Sequence, residues 1–417
     1  MNSTIQQVRP EDSGSLARIL IKAYPGPEGI SEERLKQIAD NLKKELADGT
    51  NRPTFGAYRN GELLGAFTLP EFTMNLRSAT VKIGGVAGLC VDLLHKKEKV
   101  ARDLMAFALD YYRGKGIHLS ALYPFQSEFY KRMGYGYGTT IHQFSVRPDA
   151  FPKGSTRAHL VYLTKSDKDA MLACYHECFT SVTGMFRREE QDMHALFHDA
   201  NTVVGVRRND RITGYMVFSF PRVKPEYPQK YNILVKEMIY TTHEAFTELC
   251  AFLNAQSDQA QRVIVRSQDD RLYYALHDPT NGQFDNFHTT ALESYVSAIG
   301  MMCRVLNTRD LFEQLAQCDF NGMNGCLKLT VRDSFCAANN DSVLLNFIDG
   351  RPSLDNPSEP QAVIELDVAD LSSLLMGAVR FRTLYDYGLA RISDFSKVGW
   401  VDRLFISDRA PGCVTVF

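Results

Sequence analysis

The sequence predicts an α/β (α+β) protein in which one mixed-sheet unit occurs twice and a different α+β unit follows. Three observations predict it. Asn60-Gly61 and Asn209-Asp210 each separate two apolar runs, and the two signals lie 149 positions apart. His95 and His243 occupy equivalent turns, 148 positions apart. After about residue 300 the pattern changes. A recurrence on that scale marks one structural plan used twice.

Each element follows from its local chemistry. Ser31 to Asp48 is predicted helical: Ser31 suits an N-cap, Glu32 and Glu33 the first turn, and Leu35, Ile38, Leu42 and Leu46 recur at helical spacing. Thr54–Tyr58 and Leu63–Phe67 form a hairpin about Asn60-Gly61. Ala79 to Val91 is predicted as one strand. Lys99 to Arg113 is predicted as a helix presenting Leu104, Phe107, Ala108 and Tyr111, ended by Gly114 and Gly116, with a strand at Ile117–Tyr123.

The second copy repeats this. Thr202–Val206 and Ile212–Met216 flank Asn209-Asp210, Tyr231–Tyr240 matches the third strand, Ala245–Asn254 the helix and Val263–Val265 the returning strand. In the third unit, strands are predicted at Leu327–Asp333, Val343–Ile348 and Val363–Leu366. A Pro-containing loop is placed at Asp355–Glu359, and an amphipathic helix at Val368–Met376 opens near Asp367 or Asp370. The end, Val414-Thr415-Val416-Phe417, reads as a packed, strand-like terminus. The expected units are 1–150, 151–298 and 299–417.

The bulk numbers exclude several classes. With 417 residues, 44% hydrophobic, 23% charged and a net charge of −2, the chain has no global basic field for nucleic acid. No apolar run reaches the roughly 20 residues of a membrane helix, and the start lacks the pattern of a signal peptide. Nine cysteines without a Cys-x-x-Cys pair indicate neither a zinc site nor a disulfide framework, so a reduced, cytoplasmic protein is expected. His194 and His198 share i, i+4 spacing but lack the glutamate of a zinc-protease motif, and are read as structural. Cys174 and Cys178 are read as core thiols.

The chemistry concentrates between Leu89 and Tyr137. A strand ending in Leu89-Cys90-Val91 runs into the basic turn His95-Lys96-Lys97-Glu98-Lys99-Val100-Ala101 and then a helix. Free N–H groups, the helix dipole and lysines all favour an anion there, which suggests a nucleotide-like cofactor held by its diphosphate. In the second copy the turn reads Thr241-Thr242-His243-Glu244-Ala245, without the lysines. Only the first copy is expected to keep the cofactor.

These residues resemble a known family. Lys96-Lys97-Glu98-Lys99-Val100-Ala101 is similar to the Arg/Gln-x-x-Gly-x-Gly/Ala phosphate loop of GNAT acetyltransferases, with Lys99 in place of a glycine. Phe129-Tyr130-Lys131-Arg132-Met133-Gly134-Tyr135-Gly136 is similar to the Tyr-x-x-Phe/Leu-Gly-Tyr/Trp stretch of Eis-like (enhanced intracellular survival) acetyltransferases. The resemblance implies two tandem GNAT mixed-sheet domains followed by a sterol-carrier-like α+β domain, usually assembled as a homo-hexamer. It implies acetyl-CoA as co-substrate, with no metal, and an amine acceptor that is polyamine-like, aminoglycoside-like or a lysine.

Site roles follow from the same resemblance. Backbone at Leu89, Cys90 and Val91 would pair with pantetheine. Lys96, Lys97, Glu98, Lys99, Val100, Ala101 and Arg102 would hold the diphosphate, and Phe125 and Gln126 would flank the cofactor. Tyr130 would be the general acid and the Phe417 carboxylate the general base. Lys99 is expected to adopt helical angles and add charge. Glu28, Glu33, Glu71 and Asp92 are the acidic candidates for the amine pocket. A non-enzymatic lipid or small-molecule carrier is the competing reading, and an enzyme using a longer acyl group a third.

Overall fold

Asn60 and Gly61 take φ of 51° and 81°, as a two-residue hairpin turn requires, and join strands Thr54–Arg59 and Glu62–Thr68. Asn209 and Asp210 (φ 47° and 60°) do the same for Thr202–Arg208 and Arg211–Ser219. The computed structural model describes residues 3–26, 29–48, 52–224, 230–283, 290–355 and 358–417. Glu28, and residues 356–357 of the loop expected at Asp355–Glu359, lie outside them. The helix expected from Ser31 runs Glu32–Ala47, with the Ser31 hydroxyl accepting from the Arg34 N–H.

One expectation needs correction. Ala79 to Val91 forms two strands, Ala79–Gly85 and Ala87–Val91, in different sheets. The break falls at Val86, whose N–H bonds the Ala121 carbonyl while Gly88, at φ 60°, turns the chain away. A further strand, Glu71–Leu76, escaped the sequence reading. It pairs with Ala79–Gly85 through Arg77 and Ser78, both at positive φ although neither is a usual left-handed residue. The first unit's strands therefore divide into two sheets that open at Val86. One is ordered Thr4–Gln7, Thr54–Arg59, Glu62–Thr68, Ala87–Val91. The other is ordered Glu71–Leu76, Ala79–Gly85, Leu119–Leu122, Met302–Val305, Gly136–Tyr137.

That last order shows an exchange. Met302–Val305, which follows the second unit in sequence, completes the first unit's sheet between Leu119–Leu122 and Gly136–Tyr137. In return, Thr140–Val146 enters the second unit's seven-stranded sheet, between Ala260–Ser267 and Tyr295–Ile299. The C-terminal unit builds its own five-stranded sheet around Gly325–Arg332, Ser342–Ile348 and Ala362–Asp367.

The helix Val368–Leu375 is capped by Asp367, and all eight of its residues are buried. One side faces its own sheet and the other the first unit, where the Ser372 hydroxyl accepts from the Val305 N–H at 2.9 Å. A Cβ at Gly136 would meet the Ala369 carbonyl at 1.9 Å, so glycine there lets the helix approach.

Arg304, on the exchanged strand, is fully buried and pairs with the equally buried Asp333 at 2.7 Å. Its other terminal nitrogen donates to the Met133 carbonyl. A buried pair contributes little net stability, but breaking one strands the partner charge. We expect Arg304→Met to lower unfolding free energy by roughly 3–5 kcal/mol in urea titrations. The double variant Arg304→Met/Asp333→Leu should recover part of that loss.

Candidate active site

The split at Val86 leaves Ala87–Val91 at the edge of its sheet, hydrogen-bonded to Glu62–Thr68 on one side only. Such an edge can accept an extended ligand as an added strand. Beyond it, Asp92 caps a short turn by accepting from the Leu94 N–H, and the basic loop begins.

Lys97 and Lys99 both adopt left-handed backbone, φ 66° and 67°. This corrects the expectation of helical angles at Lys99, which instead sits at the N-cap of the Val100–Gly114 helix with no side-chain cap. The first intrahelical bond runs from Asp103 N–H to the Lys99 carbonyl. Among the described residues, the N–H groups of Val100, Ala101 and Arg102 therefore have no acceptor. Three free donors, the positive helix end and nearby ammonium groups all favour an anion at this position. The loop takes the conformation glycine would give it, with lysine side chains added.

A cleft of about 830 Å³ joins this loop to the edge strand. Its lining gathers Leu89, Cys90, Val91, Lys96, Lys97, Lys99, Val100, Ala101, Arg102, Phe125 and Gln126. Glu98 is outside the lining. It bonds Arg59 at 2.6 Å and His95 at 3.3 Å, which hold its carboxyl below the usual range and tie the loop to the first hairpin. The Cys90 thiol is buried, which pushes it up to about 12, so it stays protonated and unreactive.

Tyr130, on the short helix Ser127–Lys131, lies just beneath the lining at 3% exposure. Phe125 and Phe129, both lining residues, meet its ring edge-on at 5.7 and 5.0 Å. Burial, then the neighbouring Tyr24 and Tyr135, raises its pKa well above that of an ordinary phenol. Among the described residues its hydroxyl has no hydrogen-bond partner.

Phe417 is not part of that lining. Its ring packs against Phe72 at 4.7 Å, Tyr123 at 5.5 Å and Phe186 at 5.6 Å, and touches the Gly85 position. The strand expected at Val414–Phe417 is irregular, but it is held. Tyr123 donates to the Thr415 carbonyl at 2.9 Å, and Gln268 to the Cys413 carbonyl at 2.8 Å. Gly412 donates to the Thr183 carbonyl.

Of the acidic candidates, Glu71 pairs with Lys115, Asp92 caps the Leu94 turn, and Glu33 lies on the Glu32–Ala47 helix. None of these lines the cleft.

Family profiles match along the chain. Residues 4–138 and 184–305 each match an acetyltransferase (GNAT) domain, and residues 311–414 match a sterol carrier protein domain. The chain is a tandem GNAT N-acetyltransferase. Its Eis-like architecture recurs in solved structures. A GCN5-related N-acetyltransferase from Anabaena variabilis ATCC 29413 is 16% identical over all of both chains, with TM-score 0.80. One from Kribbella flavida is 18% identical over all of this chain and 98% of that one, with TM-score 0.77. Eis1 from Mycobacterium abscessus is 20% identical over 99% of this chain and all of its own, with TM-score 0.75. No curated protein matches.

The second GNAT domain of this tandem N-acetyltransferase has a cleft at its equivalent turn, lined by Tyr240, Thr241, Thr242 and His243. Arg409, Ala410, Gly412, Cys413 and Val414 of the C-terminal tail also line it. The tail thus enters the place corresponding to the first domain's cleft. His194 closes a five-residue helix and His198 lies beyond it, so the two do not share a helical face.

Sequence reasoning missed Tyr24, Arg132, Ser334 and Phe335 in the lining of this cleft. Tyr24 donates to the Leu89 carbonyl at 2.7 Å, and nothing local to its sequence signals that reach. For the loop, Lys99→Gly should hold stability level or raise it by up to about 1 kcal/mol, because glycine relieves the left-handed strain. Lys99→Val should lower it by more than about 1 kcal/mol, measured by urea unfolding.

Proposed function

We propose that the first GNAT domain binds acetyl-CoA in the 830 Å³ cleft and passes the acetyl group to an amine delivered from the Phe417 side. The acceptor class is a small polyamine-like or aminoglycoside-like molecule, or a lysine side chain. The observation that carries this reading is the single cleft shared by an open strand edge and a cationic helix start.

Each reacting group has a residue suited to it. Backbone of Leu89–Val91 pairs with pantetheine, and an N–H there polarises the thioester carbonyl. Lys96, Lys97 and Lys99 with the N–H groups of Val100 to Arg102 hold the diphosphate. As the amine nitrogen bonds to the carbonyl carbon, the C–S bond breaks and sulfur leaves as a thiolate. Tyr130, with its raised pKa, donates a hydrogen bond to that sulfur and is a weak proton source. The Phe417 carboxylate takes the proton lost by nitrogen, directly or through water; an ordinary α-carboxylate is ionised at pH 7.

A homo-oligomer, with a hexamer as the specific form, and a cytoplasmic location complete the reading. No described helix is long and apolar enough to cross a membrane. The carrier alternative rests on the sterol carrier protein match at residues 311–414, while the helix Val368–Leu375 fills the face between that domain's sheet and the first unit.

Acetyl-CoA turnover with a panel of amines tests the function. Tyr130→Phe should lower kcat on the order of 10²-fold. One added residue after Phe417 should lower it comparably by moving the charge. If neither variant changes the rate, these roles are wrong. Because the Tyr130 phenol stays protonated far into the alkaline range, the rate should rise as the amine deprotonates and show no Tyr130-dependent fall below about pH 10. Tyr130→Phe should scale the pH profile without changing its shape.

A further inference from the structure

The cofactor cleft has a wall that the first GNAT domain does not supply. Ser334 and Phe335, from the sterol carrier protein domain, line it beside the first turn of the Val100–Gly114 helix. Phe335 is half-buried; the buried Arg304 guanidinium lies 5.9 Å from its ring centroid and the exposed Arg102 guanidinium 6.0 Å, so the ring is open to solvent only on the Arg102 side. One residue further, Arg113 from the same helix donates to the Cys336 sulfur at 2.8 Å.

This loop is held in place before any ligand arrives. One oxygen of the buried Asp333 accepts from the Phe335 and Cys336 N–H groups at 3.2 and 2.8 Å. The other accepts from Arg304 at 2.7 Å and Asn339 at 3.1 Å. A carboxylate with four such bonds fixes the loop backbone and therefore the direction of the Phe335 side chain.

We propose that Phe335 is the stacking platform for the adenine ring of the acyl donor, with Arg102 beside it binding the phosphate on the ribose. The inference rests on the reading of the cleft as an acetyl-CoA site. The placement follows from order along the ligand. Thioester and pantetheine lie on Leu89–Val91 and the diphosphate on Lys97–Arg102, so the nucleoside continues past Arg102, where Phe335 stands. A flat aromatic face next to a guanidinium suits a purine carrying a phosphate. The C-terminal domain thereby sets cofactor affinity, in addition to carrying the terminal residue.

The test compares two donors on the whole chain: acetyl-CoA, and S-acetyl-4′-phosphopantetheine, which lacks the 3′-phosphoadenosine and its 5′-phosphate. Phe335→Leu keeps an apolar side chain of similar size and should lower kcat/KM for acetyl-CoA on the order of tenfold, through KM. It should leave the shorter donor within about twofold. Phe335→Trp should restore discrimination, and Arg102→Gln should act in the same direction as Phe335→Leu. An equal loss with both donors, or no loss with either, overturns the assignment of Phe335 while the cleft reading stands. Absence of acetyl-CoA turnover and of acetyl-CoA binding by the unaltered chain overturns that reading itself.

Discussion

The Arg304–Asp333 ion pair is the constraint on which the site geometry depends. Its two charges have no solvent exposure, so each is committed to the other, and neither tolerates displacement without a large desolvation penalty. Arg304 reaches it from a strand inserted into the first sheet, and Asp333 from the end of the Gly325–Arg332 strand. The arginine also binds the Met133 carbonyl, which closes the turn after the Tyr130 helix, while the aspartate shapes the 333–336 loop. Gly134 accommodates this: at φ 81° it occupies left-handed space, and a Cβ would meet the guanidinium at 1.5 Å. Gly134 and Gly136 of the family-like stretch thus let the Met302–Val305 strand and the Val368–Leu375 helix dock, besides belonging to a loop signature.

A second buried ion pair does comparable work for the tail. Arg188 and Glu237 make two bonds of 2.7 and 2.8 Å, Tyr215 donates to the same carboxylate, and Arg188 also reaches the Val414 carbonyl at 3.4 Å. The second GNAT domain, without a lysine-rich turn, therefore contributes to the arrangement by seating the peptide that carries Phe417. Tyr123 of the first domain and Gln268 of the second grip that peptide from different sides. Its position depends on all three units being docked.

Local chemistry was legible where the determinants are local. Asn60-Gly61 and Asn209-Asp210 revealed both hairpins and Ser31 a helix start, because each is decided within a few residues, and the lysine loop stands at a helix start as expected. The turn at Arg77-Ser78 was not legible, since its left-handed geometry is imposed by surroundings such as the Arg77 bonds to the Leu404 and Phe405 carbonyls. The same holds at Lys99, where a helical expectation met a left-handed residue. Which sheet receives Thr140–Val146 has no local signature, since the alternation of its side chains suits either. Tyr24 and Phe335 reach the cleft from 65 residues before Leu89 and more than 200 after Arg102, distances that spacing rules do not bridge.

The strand exchange has a consequence for how the polypeptide acquires its shape. During synthesis, residues up to 137 emerge with their sheet lacking a member that is translated only at 302–305. Until then Leu119–Leu122 presents an unpaired edge, an arrangement that invites association with other chains. Closing a loop of that length costs little extra chain entropy but delays the event, so the two halves reach their final form together. Neither half is a self-sufficient folding module, and truncation between them would yield fragments with exposed seams.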